Sequence, residues 1–299
     1  MCILIGKWFP DTGWVGVKNR DRNYIPKISF KKINKQDTEI LYFWDDITRY
    51  CEGFNSHGVS ILSASLMVLD DEKEIDKRSD RPSPDGQKIK RALENATVKG
   101  AVQSLIKQKL PGNTMIWDTN NMCVLEGAWK PGEYAQRNYT YRVRFLPRTE
   151  TVARTNHGVW LPWAGYQRDK GPAEAMSRVS SESRLAIAKW IAQEAHSPEQ
   201  LLDLLTADYA HNGQLNALRT SNDNKKMRTT SQIMIVPKER TMYVRPVQSH
   251  IHYNFWDMNH PEQRTWVELL SNRVLYQNVR AGDRDKPLIF KSSLEHNSL

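Results

Sequence analysis

The chain opens Met1-Cys2-Ile3-Leu4-Ile5-Gly6-Lys7-Trp8-Phe9, a short apolar run led by a cysteine. An initiator methionine before so small a side chain is readily removed, which predicts a mature chain that begins at Cys2 and carries a thiol and a free α-amine on one residue. The thiolate is the reactive form of cysteine, with an ordinary pKa of about 8.5, and an α-amine titrates at about 7.7–8.0. Such an amine can take the thiol proton at neutral pH, the part a histidine plays in a triad. Taken alone, a Met-Cys start is more often a small apolar residue opening a buried strand.

The neighbouring residues change that balance. Residues 2–8 read as a strand, Pro10-Asp11-Thr12-Gly13 as a turn, and residues 14–20 as the returning strand. This hairpin brings Lys18-Asn19-Arg20-Asp21 back beside Cys2. A cation there lowers the thiol pKa and a carboxylate orients the amine. Strand alternation puts Lys18 and Arg20 on one face, so either can be the cation.

Further strands are expected over 27–33, 38–44 and 58–67, with a turn at 53–58. Residues 70–87 are charged and proline-rich and read as an exposed loop. Helices follow over 85–95 and 97–109, then strands at 113–118, 122–128, 139–145 and 149–154. The aromatic stretch 155–172 carries Trp160, Trp163 and Tyr166, which either line an apolar acyl pocket or anchor a long loop on the core. Helices over 181–194 and 198–209 come next, the second opened by the capping pattern Ser197-Pro198-Glu199-Gln200. Strands at 231–236 and 240–245 form a closing hairpin. The chain beyond 248 resists assignment, and 276–299 reads as an extended tail. This order predicts an α+β fold in which antiparallel sheets lie between helices, with residues 1–299 as a single domain.

Composition removes several function classes. The 43 Lys and Arg residues outnumber 34 Asp and Glu for a net charge of +9. They are spread without a basic run, so the reading is a solvated cationic surface and not nucleic-acid binding. No run of 18 apolar residues is present and no charged segment precedes a long apolar core, which predicts a cytoplasmic protein without a membrane span. Cys2, Cys51 and Cys123 lie far apart and are odd in number, which fits neither a disulfide framework nor a zinc site built on closely spaced pairs. His250, His252 and His260 lack a convincing further ligand and read as exposed or structural. No metal or cofactor is expected.

Five marks in order carry a resemblance: Met1-Cys2 with its apolar strand; Asn19-x-Asp21; Gly53-Phe54-Asn55-x-x-Gly58-Val59; Arg154-Thr155-Asn156-His157; and Ser180-Ser181-Glu182-Ser183-Arg184-Leu185. Together they resemble the cysteine N-terminal nucleophile hydrolases of the choloylglycine hydrolase and penicillin V acylase type, with the related acid ceramidase-like and isopenicillin N acyltransferase-like amidases. The resemblance implies a four-layer αββα sandwich and hydrolysis of linear, non-peptide C–N amide bonds in a small N-acyl substrate. It implies Cys2 as nucleophile, Asp21 orienting the amine, and Arg184 supporting the network. The oxyanion would be held by the Asn156 side chain and the Ser65 backbone N–H. Where the family carries arginine before Asn-x-Asp this chain has Lys18, with Arg20 at the variable position, and the choice of cation stays open. An acyltransferase on the same scaffold and a catalytically silent binding protein are the alternatives. Assembly into homo-oligomers is a further expectation by analogy.

Overall fold

The computed structural model describes residues 2–66, 84–130, 138–207, 209–221, 226–247, 253–257 and 288–291. The opening hairpin forms as expected: β1 (Cys2–Phe9) pairs antiparallel with β2 (Gly13–Arg22), with Cys2 opposite Arg20. Ile3 and Ile5 face one way and Leu4 the other, yet all three are fully buried. A strand apolar on both faces must be covered on both, and that requirement builds the layers.

Four more described strands complete the first sheet: β10 (Val152–Arg154), β11 (Arg228–Val236), β12 (Thr241–Pro246) and β14 (Leu288–Lys291), in the order β10-β1-β2-β11-β12-β14. The second sheet holds β3 (Ile28–Lys35), β4 (Thr38–Asp45), β5 (Cys51–Asn55), β6 (Ser60–Ala64), β7 (Gly112–Trp117), β8 (Met122–Trp129), β9 (Tyr139–Leu146) and β13 (Tyr253–Asp257). Its order is β13-β3-β4-β5-β6-β7-β8-β9. Among the described residues the strand pairings are antiparallel except β13 on β3, which is parallel.

Three apolar layers separate four structural ones. Leu4, Trp14, Phe30, Phe43, Trp117, Val124 and Ile233 pack between the sheets. Ile3, Ile5, Val17 and Met234 meet Leu185, Ala188, Ile191 and Leu201 of the helices α3 (Pro172–Glu194) and α4 (Pro198–Leu204). Ile40, Ile61, Ile116 and Leu125 meet Ile89, Val98, Ala101 and Leu105, which lie on or beside α1 (Pro84–Ala92) and α2 (Val98–Lys107). The molecule is the αββα sandwich that the sequence predicted.

Four local expectations are corrected. Residues 53–55 belong to β5, not to a turn, because pairing of Gly53 with Tyr42 and Phe54 with Leu41 satisfies their backbone in the sheet. The helix expected from 181 begins at Pro172, where Gly171 and a proline in the first turn start it, so Ser180 and Ser181 lie mid-helix. The next helix stops at Leu204, not 209, as the Leu205 and Thr206 N–H groups turn back to the Asp203 carbonyl. Beyond residue 248, two strands, β13 and β14, join the sheets. Residues 67–83, most of the expected exposed loop, lie outside the described residues, as do His250, His252, His260 and most of 276–299.

Gly16 shows how closely the sheets approach. A Cβ there would overlap the indole of Trp117 on the facing sheet, while the paired Gly6 would press Met122 and Val152. Gly16→Val is therefore expected to destabilise the fold by about 1–3 kcal/mol through overpacking. Denaturant unfolding would show the loss, and adding Trp117→Leu should recover part of it.

Candidate active site

Cys2 lies at the edge of the inter-sheet core, and two strands determine what it meets. The β1–β2 register sets Arg20 across from it on one side. On the other, β10 pairs Leu4 with Arg154, and continuing that register by two residues brings Asn156 opposite Cys2. The Cys2 N donates to Asn156 Oδ1, and Asn156 Nδ2 donates to the Ser65 carbonyl at 2.5 Å. The amide thus ties the start of the first sheet to the end of β6 in the second.

Alternation places Lys18, Arg20 and Arg22 on the Cys2 side of β2. Each reaches a different partner. Lys18 Nζ contacts Glu52 Oε1 and donates to the Ser63 carbonyl at 2.6 Å. The Arg20 guanidinium pairs with Asp45 and lies over the Phe43 ring, 5.1 Å from its centroid. Arg22 Nη1 points at Cys2 Sγ at 3.7 Å, and its Nε lies 3.6 Å from Asp45 Oδ2. Arg22, Glu52 and Asp45 were missed by the sequence reading. The two-residue step that selected Lys18 and Arg20 reaches Arg22 one step further; Glu52 and Asp45 had no local signal.

Burial alone would raise the Cys2 thiol pKa. Lys18, the Met1 ammonium of the uncleaved chain and Arg22 outweigh it against the opposing Asp21 carboxylate, holding the thiol at about 6. Burial pushes the Lys18 ammonium well below the usual lysine range, against the pull of the Cys2 thiolate. Cys51 and Cys123 are also buried, but their pKa values are raised, so Cys2 is the cysteine poised to ionise.

The other expected residues take distinct places. Asp21 faces the helix layer, where Oδ2 lies 2.7 Å from Arg184 Nη2 and Oδ1 accepts from Thr229 Oγ1 at 2.8 Å. Arg184 also donates to the Asn216 and Ala217 carbonyls, and its pairing with Asp21 ties β2 to α3. The contact to the Cys2 N is made by Asn156; Asp21 is held on the opposite face of β2. Ser65 is exposed, with its carbonyl on Asn156.

The aromatic loop is fastened from below. Glu126, fully buried on β8, accepts from the backbone N–H groups of Val159, Trp160 and Leu161 at 2.6–3.0 Å. Asn113 on β7 donates to the Thr155 and His157 carbonyls. Trp160 packs on the inter-sheet core with the Arg154 guanidinium 4.4 Å from its ring, Trp163 rests on Leu66, Ala128, Leu161 and Ala164, and Tyr166 is buried. His157, beside Asn156, has its pKa lowered to about 4 by burial and by Arg178, so it stays neutral between the Thr155 and Ser181 hydroxyls.

No family model and no curated protein matches this sequence. Among solved structures the chain is similar to penicillin V acylase from Agrobacterium tumefaciens, with a TM-score of 0.46 and 11% identity over 82% of this chain and 83% of that one. It is also similar to two variants of conjugated bile acid hydrolase from Clostridium perfringens. One gives a TM-score of 0.42 and 11% identity over 84% of this chain and 90% of that one. The other gives 0.45 and 12% over 99% and 100%.

The Asp45 carboxylate beneath this site has a pH signature. Burial would raise its pKa, but Arg20, the Tyr24 hydroxyl and Arg22 lower it to about 2. Its contribution to stability is complete above the unfolded value of about 3.9 and is lost as pH falls through about 2, an effect of about 2–3 kcal/mol. Stability measured against pH should show this loss between about pH 4 and pH 2. Asp45→Asn should be less stable at neutral pH and lack that part of the acid slope.

Proposed function

We propose that this chain is a cysteine amidohydrolase that cleaves linear, non-peptide C–N bonds of small N-acyl amides, with Cys2 as nucleophile after removal of Met1. The observation that carries the reading is a buried thiol with a guanidinium nitrogen 3.7 Å from its sulfur, on a residue whose N is held by a side-chain amide; the cations around it favour the thiolate. A structural cysteine in apolar surroundings is driven the other way, as Cys51 is.

In this mechanism the α-amine of Cys2 accepts the thiol proton, and Sγ adds to the substrate carbonyl carbon. The carbonyl π electrons move onto oxygen. Asn156 spends one of its two N–H donors on the Ser65 carbonyl and offers the other to that oxyanion, together with the Ser65 N–H. Collapse expels the amine, which leaves with the proton held on the α-ammonium. Water then adds to the thioester with the α-amine as base, releasing the acid and restoring the thiol. Every proton moves between groups of this chain, substrate and water.

Intact mass of the purified protein, before and after a small thiol-directed electrophile, tests the nucleophile. The expected result is a chain lacking Met1 with one adduct that disappears in Cys2→Ala, and turnover of N-acyl p-nitroanilides that falls to background in the same variant. Retained Met1 with no Cys2-dependent adduct would sink the reading. Acyl transfer to an added amine in place of water would make the protein an acyltransferase.

Asn156→Leu should lower kcat by about 10²–10³ if its second N–H holds the oxyanion. Single-turnover rates on the same amides would show it, while a change confined to KM would leave Asn156 as a tether only.

A further inference from the structure

The alternatives left open for the cation at the thiol were Lys18 and Arg20, and the structure offers a third. The side chains of Lys18 and Arg20 are 1% exposed, whereas that of Arg22 is 15% exposed. The two buried cations are each committed: Lys18 to Glu52 and the Ser63 carbonyl, Arg20 to Asp45. Arg22 takes a shared and longer place on Asp45, at 3.6 Å, and turns Nη1 toward Sγ. The Asp21 carbonyl, accepting from the same Nη1 at 2.7 Å, and Asp45 at Nε fix the guanidinium at two points.

From this geometry we infer that Arg22 is the catalytic cation that holds the Cys2 thiolate, that Asp45 is its positioning residue, and that Lys18 with Glu52 is a structural ion pair. The inference rests on the amidohydrolase reading for its catalytic meaning, but the physical claim concerns the thiol alone. Taken as a bare charge, Lys18 attracts the thiolate more strongly than Arg22 does. It is not a bare charge, because Glu52 is in contact with it, and the field of an ion pair falls off as that of a dipole. Arg22 shares Asp45 with Arg20 and takes the longer place on it, so its charge is less fully answered, and a fixed planar donor loses less entropy on holding an anion than a flexible ammonium. Among the described residues the other titratable or charged groups acting on Sγ include Asp21 on β2, Tyr50 beside β5 and Arg219 ahead of β11, joined by the Met1 ammonium until that residue is removed. Asp21 is paired with Arg184, and Tyr50 has its pKa raised by burial and is neutral.

The test is a thiolate absorbance titration of the full chain, with the Cys2→Ala spectrum subtracted. The high pKa values of Cys51 and Cys123 keep them silent over the range that matters. Arg22→Gln is expected to move the midpoint up by about one unit or more. Arg22→Lys should move it less, and Asp45→Asn should give an intermediate shift. Removing the other pair together, as Lys18→Met with Glu52→Met, should leave the midpoint within a few tenths of a unit. An unmoved midpoint in Arg22→Gln would overturn the assignment, as would an equal or larger shift in the Lys18/Glu52 double variant. If Arg22→Gln fails to fold, Arg22→Lys against the double variant makes the same comparison. No amide substrate enters the measurement. A chain without amidase activity that still shows the Arg22 shift keeps this inference and loses the proposed function; an active chain with an unmoved midpoint does the reverse.

Discussion

Three cations at alternate positions of one strand point between two sheets, and burying them is the constraint on which this structure depends. An unpaired buried charge costs several kcal/mol, so the facing sheet must answer β2 with carboxylates at matching positions. Glu52 on β5 and Asp45 on β4 do so, and the sheets are thereby held in one alignment at the Cys2 end. Further along the same strand the answer is steric, with Gly16 yielding its space to Trp117. The opposite face of β2 repeats the electrostatic logic, with Asp21 meeting Arg184 from the helix layer.

The site is positioned by buried polar groups that do no chemistry in this reading. Glu126 gathers three loop N–H groups, Asn113 takes two loop carbonyls, and Asn55 closes its own turn through the His57 and Val59 N–H groups while reaching the Leu93 and Asn95 carbonyls. Each replaces water for backbone groups that would otherwise be buried unpaired, which costs about 1–3 kcal/mol apiece. Their common effect is to hold irregular backbone as firmly as a strand. Asn156 depends on this, since it lies just beyond β10, where no ladder bond fixes it.

The strand and helix layers were largely legible because their signals are local. Short apolar runs bounded by turn residues marked β1, β2, β4 and β8, and the capping serine marked α4, where Ser197 Oγ accepts from the Gln200 N–H. The long helix was under-read because its first turns, from Pro172 to Val179, carry exposed residues and little apolar period. The aromatics of 155–172 left two readings open, and the contacts of Trp160, Trp163 and Tyr166 are those of anchors on the core.

What the sequence by itself determined was the hairpin and hence the neighbourhood of Cys2: a two-residue period and a proline-glycine turn place Lys18, Arg20 and Asp21 within reach of it without reference to the rest of the chain. Only the tertiary structure decided which of these groups faces the thiol. Asn156 arrives through a pairing 150 residues distant in the chain, and Lys18 and Arg20 are committed to carboxylates on other strands. The reason is that charge pairing is set by distance in space, and distances between separate strands exist only once the sheets have packed.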